Sequence, residues 1–292
     1  MIAAPTNQIP GIYRRKIGDI ALTAISDGYV DRPYDMMRDI SALAAEKILR
    51  DSFRPTPPRI SVNCFVVHSA GRVALIDTGC GVSMGDTVGL LPQHLKAADV
   101  SIETIDTVIL THMHPDHSNG LTSPSGERNF PDAELVISET DVKHWHDDAA
   151  MNVASARHRE RFFLAAREQI KPYHNRRRDA KGEVFPGVTA MPLPGHTPGH
   201  TGYMITSGGK DLMIWGDIVH IPDIQARQPE VTVEPDSDPT AAIATRRRIL
   251  EMTAREKLPI VGMHTHFPGF VYVVGTAQQG YQLVPEMWMQ TL

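Results

Sequence analysis

The segment Thr111-His112-Met113-His114-Pro115-Asp116-His117 constrains this chain more than any other, because four metal-competent side chains fall within six residues, directly after the apolar run Thr107 to Leu110. Histidine offers a neutral imidazole nitrogen and aspartate a hard oxygen, the mixed donor set that suits zinc and related divalent ions. In an extended segment, residues two apart point the same way, so His112 and His114 converge on one ion. The turn after Pro115 then redirects Asp116 and His117 toward another. A single histidine is usually a hydrogen-bonded residue that binds no metal; four donors at this spacing, at the end of an apolar strand, point to a metal site.

Further donors have to come from elsewhere, since a structural zinc takes four protein ligands and a catalytic zinc leaves one position to water. Pro194-Gly195-His196-Thr197-Pro198-Gly199-His200 sets His196 in a glycine- and proline-rich turn after a strand, where ligands are commonly presented. Asp217 follows the apolar run ending Ile214-Trp215-Gly216, and His264 follows Val261-Gly262-Met263. Three predicted strands thus end in a ligand-type residue.

With 292 residues the chain can bury a sizeable core, and its net charge of -5 provides no polycationic surface for a phosphate backbone, so nucleic acid is not an expected partner. The runs Arg176-Arg177-Arg178 and Arg246-Arg247-Arg248 read as solvated faces. Cys64 and Cys80 read as buried free thiols, too few for a disulfide framework and without zinc-pair spacing. Met1 to Gly11 lacks the basic start and apolar run of a signal peptide, and no apolar stretch is long enough to span a bilayer. A cytoplasmic location and no membrane partner are the expectation.

No repeat or linker-like shift divides the chain, so we expect one domain over residues 1–292, with roughly the first 58 as an N-terminal extension. Predicted strands cover Ile20 to Ile25, Ser61 to His68, Val73 to Asp77, Thr107 to Thr111, Leu135 to Ile137, Val188 to Leu193, Gly202 to Thr206, Leu212 to Trp215, Pro259 to Met263 and Val271 to Val274. Predicted helices cover Ile40 to Phe53, Met84 to Ala98, Ser138 to Asp147 with Ser138 and Asp141 as a capping pair, Val153 to Gln169, and a helix opened by Asp238-Pro239 that runs to about Lys257. This mixed order predicts sheets covered by helices.

Taken together, the strings resemble the metallo-β-lactamase superfamily: HxHxDH at His112 to His117, GHTPGH at Gly195 to His200, Gly216-Asp217, Gly262-Met263-His264 and Leu75-Ile76-Asp77-Thr78-Gly79. They occur in the family's order over roughly Asn63 to Gly269, and the set is far more specific than any one of them. The resemblance implies an α/β fold, a four-layer αββα sandwich with a dinuclear metal site at one edge between the sheets. It also implies that His112, His114 and His196 hold one metal, that Asp116, His117 and His264 hold the other, and that Asp217 bridges them. Asp77 resembles the family's outer-shell aspartate that orients a ligand histidine. His200 is expected to be structural. His264 is taken as the ligand over His266 because His264-Thr265-His266-Phe267-Pro268-Gly269 resembles the H-x-x-F-P-G segment of the methyl parathion hydrolase branch; His266 is left between substrate contact and a solvated loop.

The resemblance implies two divalent ions, zinc first, with manganese, cobalt or iron(II) as alternates, and a metal-bridging hydroxide as nucleophile. Asp217 stands where true β-lactamases carry cysteine or serine, and the second histidine of HxHxDH stands where the iron-type redox branch tends to carry glutamate. The expected function is therefore a zinc-dependent lactonase or esterase of the methyl parathion hydrolase and lactonase branch, with side activity on organophosphate triesters. A glyoxalase II-like thioesterase and a non-catalytic metal-binding protein are the alternatives. Asp116 is the expected proton carrier. His220 stands where N-acyl-homoserine lactonases have a tyrosine and is the expected donor to a substrate carbonyl. Trp145, Phe162, Phe163 and Tyr173 are candidates for an apolar acyl pocket, with packing the commoner role for such residues. The expected partner is a small-molecule ester or lactone, and a homodimer is the assembly to test.

Overall fold

The computed structural model of the chain describes residues 4–6 and 8–292. β1 (Ile12–Ile17) and β2 (Ile20–Asp31) form an antiparallel pair, while β3 (Met37–Arg38) leaves the sheet to pair with a much later strand. β4 (Arg59–Ser69) and β5 (Arg72–Ile76) continue the antiparallel run from β2, and β6 (Thr107–Ile109), β7 (Glu134–Ile137) and β8 (Arg177–Asp179) add in parallel. The second sheet is built from β9 (Glu183–Phe185), β10 (Val188–Pro192), β11 (Thr201–Ser207) and β12 (Lys210–Ile214). After β13 (Thr232–Val233), the partner of β3, it is completed by β14 (Ile260–Val261), β15 (Phe270–Thr276) and β16 (Gly280–Pro285).

Strands that are apolar on both faces require cover on both faces, and that requirement produces the layers. In β4, Phe65 and Val67 belong to a core shared with Ile205, Ile214 and Met263 of the second sheet, whereas Cys64 and Val66 belong to a core shared with Leu95, Trp145 and Phe163. The second sheet repeats the pattern: Ile214 faces inward, and Met213 packs outward against Ile249 and Leu250 of the helix Pro239–Glu256. The result is the expected αββα sandwich.

Several expectations about elements need correction. Within the N-terminal segment of about 1–58, read as an extension, β1 and β2 join the first sheet, with β1 at its edge. The helix expected over Met84 to Ala98 forms only at Leu91–Ala97, because Gly89 adopts a φ of 82° and Pro92 then suits the first turn. The single helix expected over Val153 to Gln169 is divided. Ser155 is extended and caps His158, a π turn covers Arg159–Leu164, and an α segment follows at Ala165–Ile170. Ser138 makes no capping bond, so the expected capping pair with Asp141 does not form. Asp238 does cap its helix, accepting from the Ala241 N–H at 3.0 Å. Cys64 and Cys80 are buried and free.

The arginine triplets are also less solvated than expected. Arg177 and Arg178 lie in β8 and pair with Glu139 and Glu134. Arg246 is only 1% exposed; it donates through Nε to the Ile218 carbonyl at 2.6 Å and through a terminal nitrogen to the Pro229 and Val231 carbonyls at 2.8 and 3.0 Å. No helix among the described residues is long and apolar enough to cross a membrane.

Candidate metal centre

The C-terminal ends of β6, β12 and β14 meet at one edge of the sandwich. Past β6 the chain stays extended to His114 (φ -76°, ψ 156°), and Pro115 opens a single helical turn, Pro115–Ser118, that turns Asp116 and His117 away from His112 and His114. Asp217 follows β12 and His264 follows β14, while the loop after β10 delivers His196. Two backbone bonds join these lips across the sheets: the Thr201 N–H to the Thr111 carbonyl at 2.9 Å and the Asn63 N–H to the Met263 carbonyl at 2.9 Å.

The structure brings all seven expected ligands together. His112, His114 and His196 form one group of converging donors, and Asp116, His117 and His264 form a second. Asp217 sits between them: its Oδ2 is 3.2 Å from His117 Nε2, 3.1 Å from His264 Nε2, 3.4 Å from His196 Nε2 and 3.7 Å from His112 Nε2. His112 Nε2, His117 Nε2 and Asp217 Oδ1 are buried without a hydrogen-bond partner. A native fold rarely leaves so many buried polar atoms unmatched unless an ion satisfies them.

The outward ring nitrogens explain why the inward ones face the cluster as acceptors. His117 Nδ1 donates to Asp77 Oδ2 at 2.7 Å, His196 Nδ1 to Asp236 Oδ1 at 2.7 Å, His264 Nδ1 to the Ser61 carbonyl at 2.7 Å, and His112 Nδ1 to Thr111 Oγ1 at 3.0 Å. Each bond leaves the other ring nitrogen pointing inward, where ligand histidines present a lone pair to an ion. Asp77 holds the strand end as well, accepting from the Thr111 N–H and hydroxyl, both at 2.8 Å. The donor set, the inward lone pairs and the unmatched atoms all fit divalent metal ions, and the nitrogen and oxygen chemistry suits zinc.

Electrostatics follows the same geometry. Burial raises the Asp116 carboxyl, but the nearby His117, His264 and Arg32 outweigh it and hold it at about 2. Burial likewise opposes ionisation of Asp236, and its bond from His196 brings it down to about 2. Burial and His196 together press His200 down to about 3 against the pull of Asp217, so its ring is neutral. That neutral His200 donates through Nδ1 to the Leu193 carbonyl and accepts the Asp217 N–H on Nε2, both at 2.9 Å, which gives it the structural role expected. Gly216 has no alternative beside it: its φ is 59°, and a Cβ there would lie 2.4 Å from His200 Nε2.

Sequence reasoning missed Asp141, Asp236 and the Ser61 carbonyl. Asp141 accepts from the Met113 N–H at 2.9 Å, the Trp145 indole at 3.1 Å and the Gly199 N–H at 3.3 Å, clamping two ligand loops together. It lay within an apparent helix start, and Asp236 lay in a polar loop whose only evident signal was the Asp238 cap.

A cavity of about 360 Å³ opens over the cluster, lined by His114, Asp116, Asp217, His220 and His264 with Phe162 on one wall. Trp145, Phe163 and Tyr173 lie instead in the core behind the first sheet. His266 is directed away: its Nε2 is 2.7 Å from Asp223 Oδ2, and it lines a separate cavity of about 330 Å³ with Arg54. A role for His266 against substrate at the cluster is not what this geometry provides. His220 does face the cluster, with Nε2 3.1 Å from Asp217 Oδ2 and its ring stacked at 5.2 Å on His264.

One edge of the αββα sandwich thus gathers converging histidine and aspartate side chains that could hold divalent metal ions. The sequence profile of the metallo-beta-lactamase superfamily matches residues 57–264, and the chain belongs to that superfamily, a class that includes metal-dependent hydrolases. Among proteins of known sequence, it is 28% identical over 161 residues to the uncharacterised protein YobT of Bacillus subtilis (strain 168), covering 55% of this chain and 63% of YobT. It is 28% identical over 158 residues to an atrochrysone carboxyl ACP thioesterase of Passalora fulva, covering 54% of this chain and 38% of that protein. Two solved structures superpose with a TM-score of 0.90 over 97% of this chain and 100% of theirs: the hydrolase AbOPH of the beta lactamase superfamily at 28% identity, and AidC, a dizinc quorum-quenching lactonase with N-hexanoyl-L-homoserine as product, at 25%.

Proposed function

We propose that this chain is a zinc-dependent hydrolase of lactones or esters, with side activity on organophosphate triesters. His112, His114 and His196 would hold one ion, Asp116, His117 and His264 the other, and Asp217 both. The observation that carries this reading is the set of ring nitrogens whose outer partners are already satisfied and whose inner lone pairs converge beneath an open cavity. Bound divalent ions supply a water of lowered pKa as nucleophile and polarise the carbonyl or phosphoryl oxygen under attack. The likeness to AidC over 97% of this chain supports the lactone reading.

The protein's own groups set the rest. Asp116 stays ionised, lines the cavity and can carry a proton between the attacking and leaving groups. Burial pushes His220 down to about 4, so its ring is neutral at physiological pH. A neutral ring that donates through Nε2 to Asp217 has only a lone pair left on Nδ1, so it cannot also donate to a carbonyl. We therefore propose that His220 is a positioning residue that holds Asp217, in place of the donor to a substrate carbonyl expected from the sequence, and the His220→Phe variant decides between the two.

A screen of lactones, aryl esters, a thioester and a phosphotriester against zinc, manganese and cobalt forms tests the function. We expect a lactone or aryl ester to give the highest kcat/KM, and no turnover above metal-free controls would reject a hydrolase. The likeness to the fungal thioesterase makes a thioester the second reading, which the same screen decides.

A further inference from the structure

Four arginines, Arg32, Arg38, Arg157 and Arg161, line the cavity over the metal cluster, facing the carboxylates of Asp35, Asp116, Asp217 and Glu234. Arg32, Arg157 and Arg161 all line it, and the same three line an adjoining cavity of about 680 Å³, so they stand at the junction of the two. Arg32 approaches Asp116 Oδ2 at 3.7 Å. Arg157, which is exposed, and Arg161, which is half-buried, make no ion pair and no side-chain hydrogen bond among the described residues. Several arginines elsewhere are paired, as in Arg54 with Asp223 at 3.0 Å, Arg59 with Asp31 at 2.7 Å and Arg167 with Asp148 at 2.8 Å, and what distinguishes Arg157 and Arg161 from unpaired surface arginines is their place on the cavity over the cluster. Asp35, Arg38 and Glu234 complete the charged rim, and neither carboxylate comes within 4.0 Å of these guanidiniums.

Local structure makes the arrangement costly. Arg157 and Arg161 are four residues apart, where like charges on a helix repel. Arg161 lies in the π turn Arg159–Leu164, a distortion that recurs at functional sites. Adjacent Arg161 and Phe162 both face the cavity, with the guanidinium carbon 5.6 Å from the Phe162 ring centre. A segment that aims two unpaired guanidiniums and a phenyl ring at one space is shaped to hold an apolar arm ending in an oxyanion.

We propose that Arg157 and Arg161, with Arg32 behind them, are the specificity subsite for a carboxylate or phosphate borne by the part of the substrate that does not react. The inference rests on the hydrolase reading and deepens it: the substrate is an ester, lactone or thioester with a remote anionic group. Phe162, Ile60 and Met36 then flank the arm between the anion and the scissile bond.

The test pairs turnover with binding in the zinc-loaded protein. Phenyl hydrogen glutarate, its neutral methyl ester and phenyl 4-phosphonobutanoate are compared by kcat/KM in wild type, Arg161→Lys and the double variant Arg157→Gln/Arg161→Gln. A charged hydrogen-bonded contact predicts a preference of about ten- to a hundredfold for an anionic ester over the neutral one. That ratio falls toward one in the double variant and is partly restored in Arg161→Lys. The carboxylate and phosphonate arms show which oxyanion the subsite takes. In parallel, calorimetric titration with 4-phenylbutyrate reads the subsite without turnover, and its Kd weakens about tenfold or more in the double variant. Equal kcat/KM for charged and neutral esters, or an unchanged Kd, overturns the proposal. If no ester is hydrolysed but the Kd still shifts, the hydrolase reading fails and the anion subsite stands.

Discussion

Replacing Asp77 by asparagine alters one atom of a side chain that never enters the cavity, yet it should disable half of the metal centre. Asp77 Oδ1 accepts the Thr111 N–H, while Oδ2 accepts both the Thr111 hydroxyl and His117 Nδ1. An amide keeps one acceptor, which the backbone N–H claims, and turns an NH2 toward His117 and Thr111. Two donors then face each other, and His117 relieves the clash by moving its proton to Nε2, the nitrogen aimed at Asp217. Loss of such an orienting partner typically costs about 10- to 100-fold in metal affinity. Loss of a charged hydrogen bond in the core costs about 1.5–3 kcal/mol, a fall in Tm of about 3–12 °C for a domain of this size. Asparagine is the clean substitution because the left-handed φ of 58° at Asp77 suits it, whereas alanine would add backbone strain. Competition for zinc with a chromophoric chelator measures the affinity, and thermal unfolding the stability. Wild-type zinc affinity in Asp77→Asn would refute the argument that this carboxylate fixes the His117 tautomer.

Protein purified without chelator should carry close to two equivalents of transition metal by elemental analysis, and a value near zero after reconstitution with zinc, manganese and cobalt in turn rejects the centre. His264→Ala should lose the second metal and nearly all turnover. His266→Ala should keep both metals, because His266 lines the other cavity; the reverse pattern would reassign the ligand. His220→Phe should weaken zinc binding and slow a lactone and a phosphotriester alike, since it acts through Asp217; a loss confined to the lactone with metal content intact would restore direct contact with the carbonyl. Burial opposes the Asp223 charge, but His266 and Arg54 outweigh it and lower its pKa. Its contribution is therefore present above the unfolded value near about pH 4 and is lost as pH falls through the lower native value. Asp223→Asn should cost about 1 kcal/mol at pH 7 in urea unfolding, with the difference shrinking in acid, and a difference that persists at low pH would count against the ion pair.

The candidate donors stood out in the sequence because they sit in short strings after apolar strands, where local geometry decides direction, whereas their division between two ions came from the resemblance to the metallo-β-lactamase superfamily. The period of two aims His112 and His114 together, and Pro115 starts the turn that sends Asp116 and His117 elsewhere. Apolar alternation likewise predicted most strands of both sheets. What sequence did not reveal depends on partners far along the chain. Asp236 meets His196 across 40 residues, the Ser61 carbonyl meets His264 across 203, and Asp141 joins loops that are distant in sequence. Charge pattern alone read Arg246 as solvated, yet it is buried because three carbonyls from two loops close around it. His220 shows the same division. Its place three residues after Asp217 is local, but which nitrogen carries its proton is fixed only once folding sets a carboxylate 3.1 Å away.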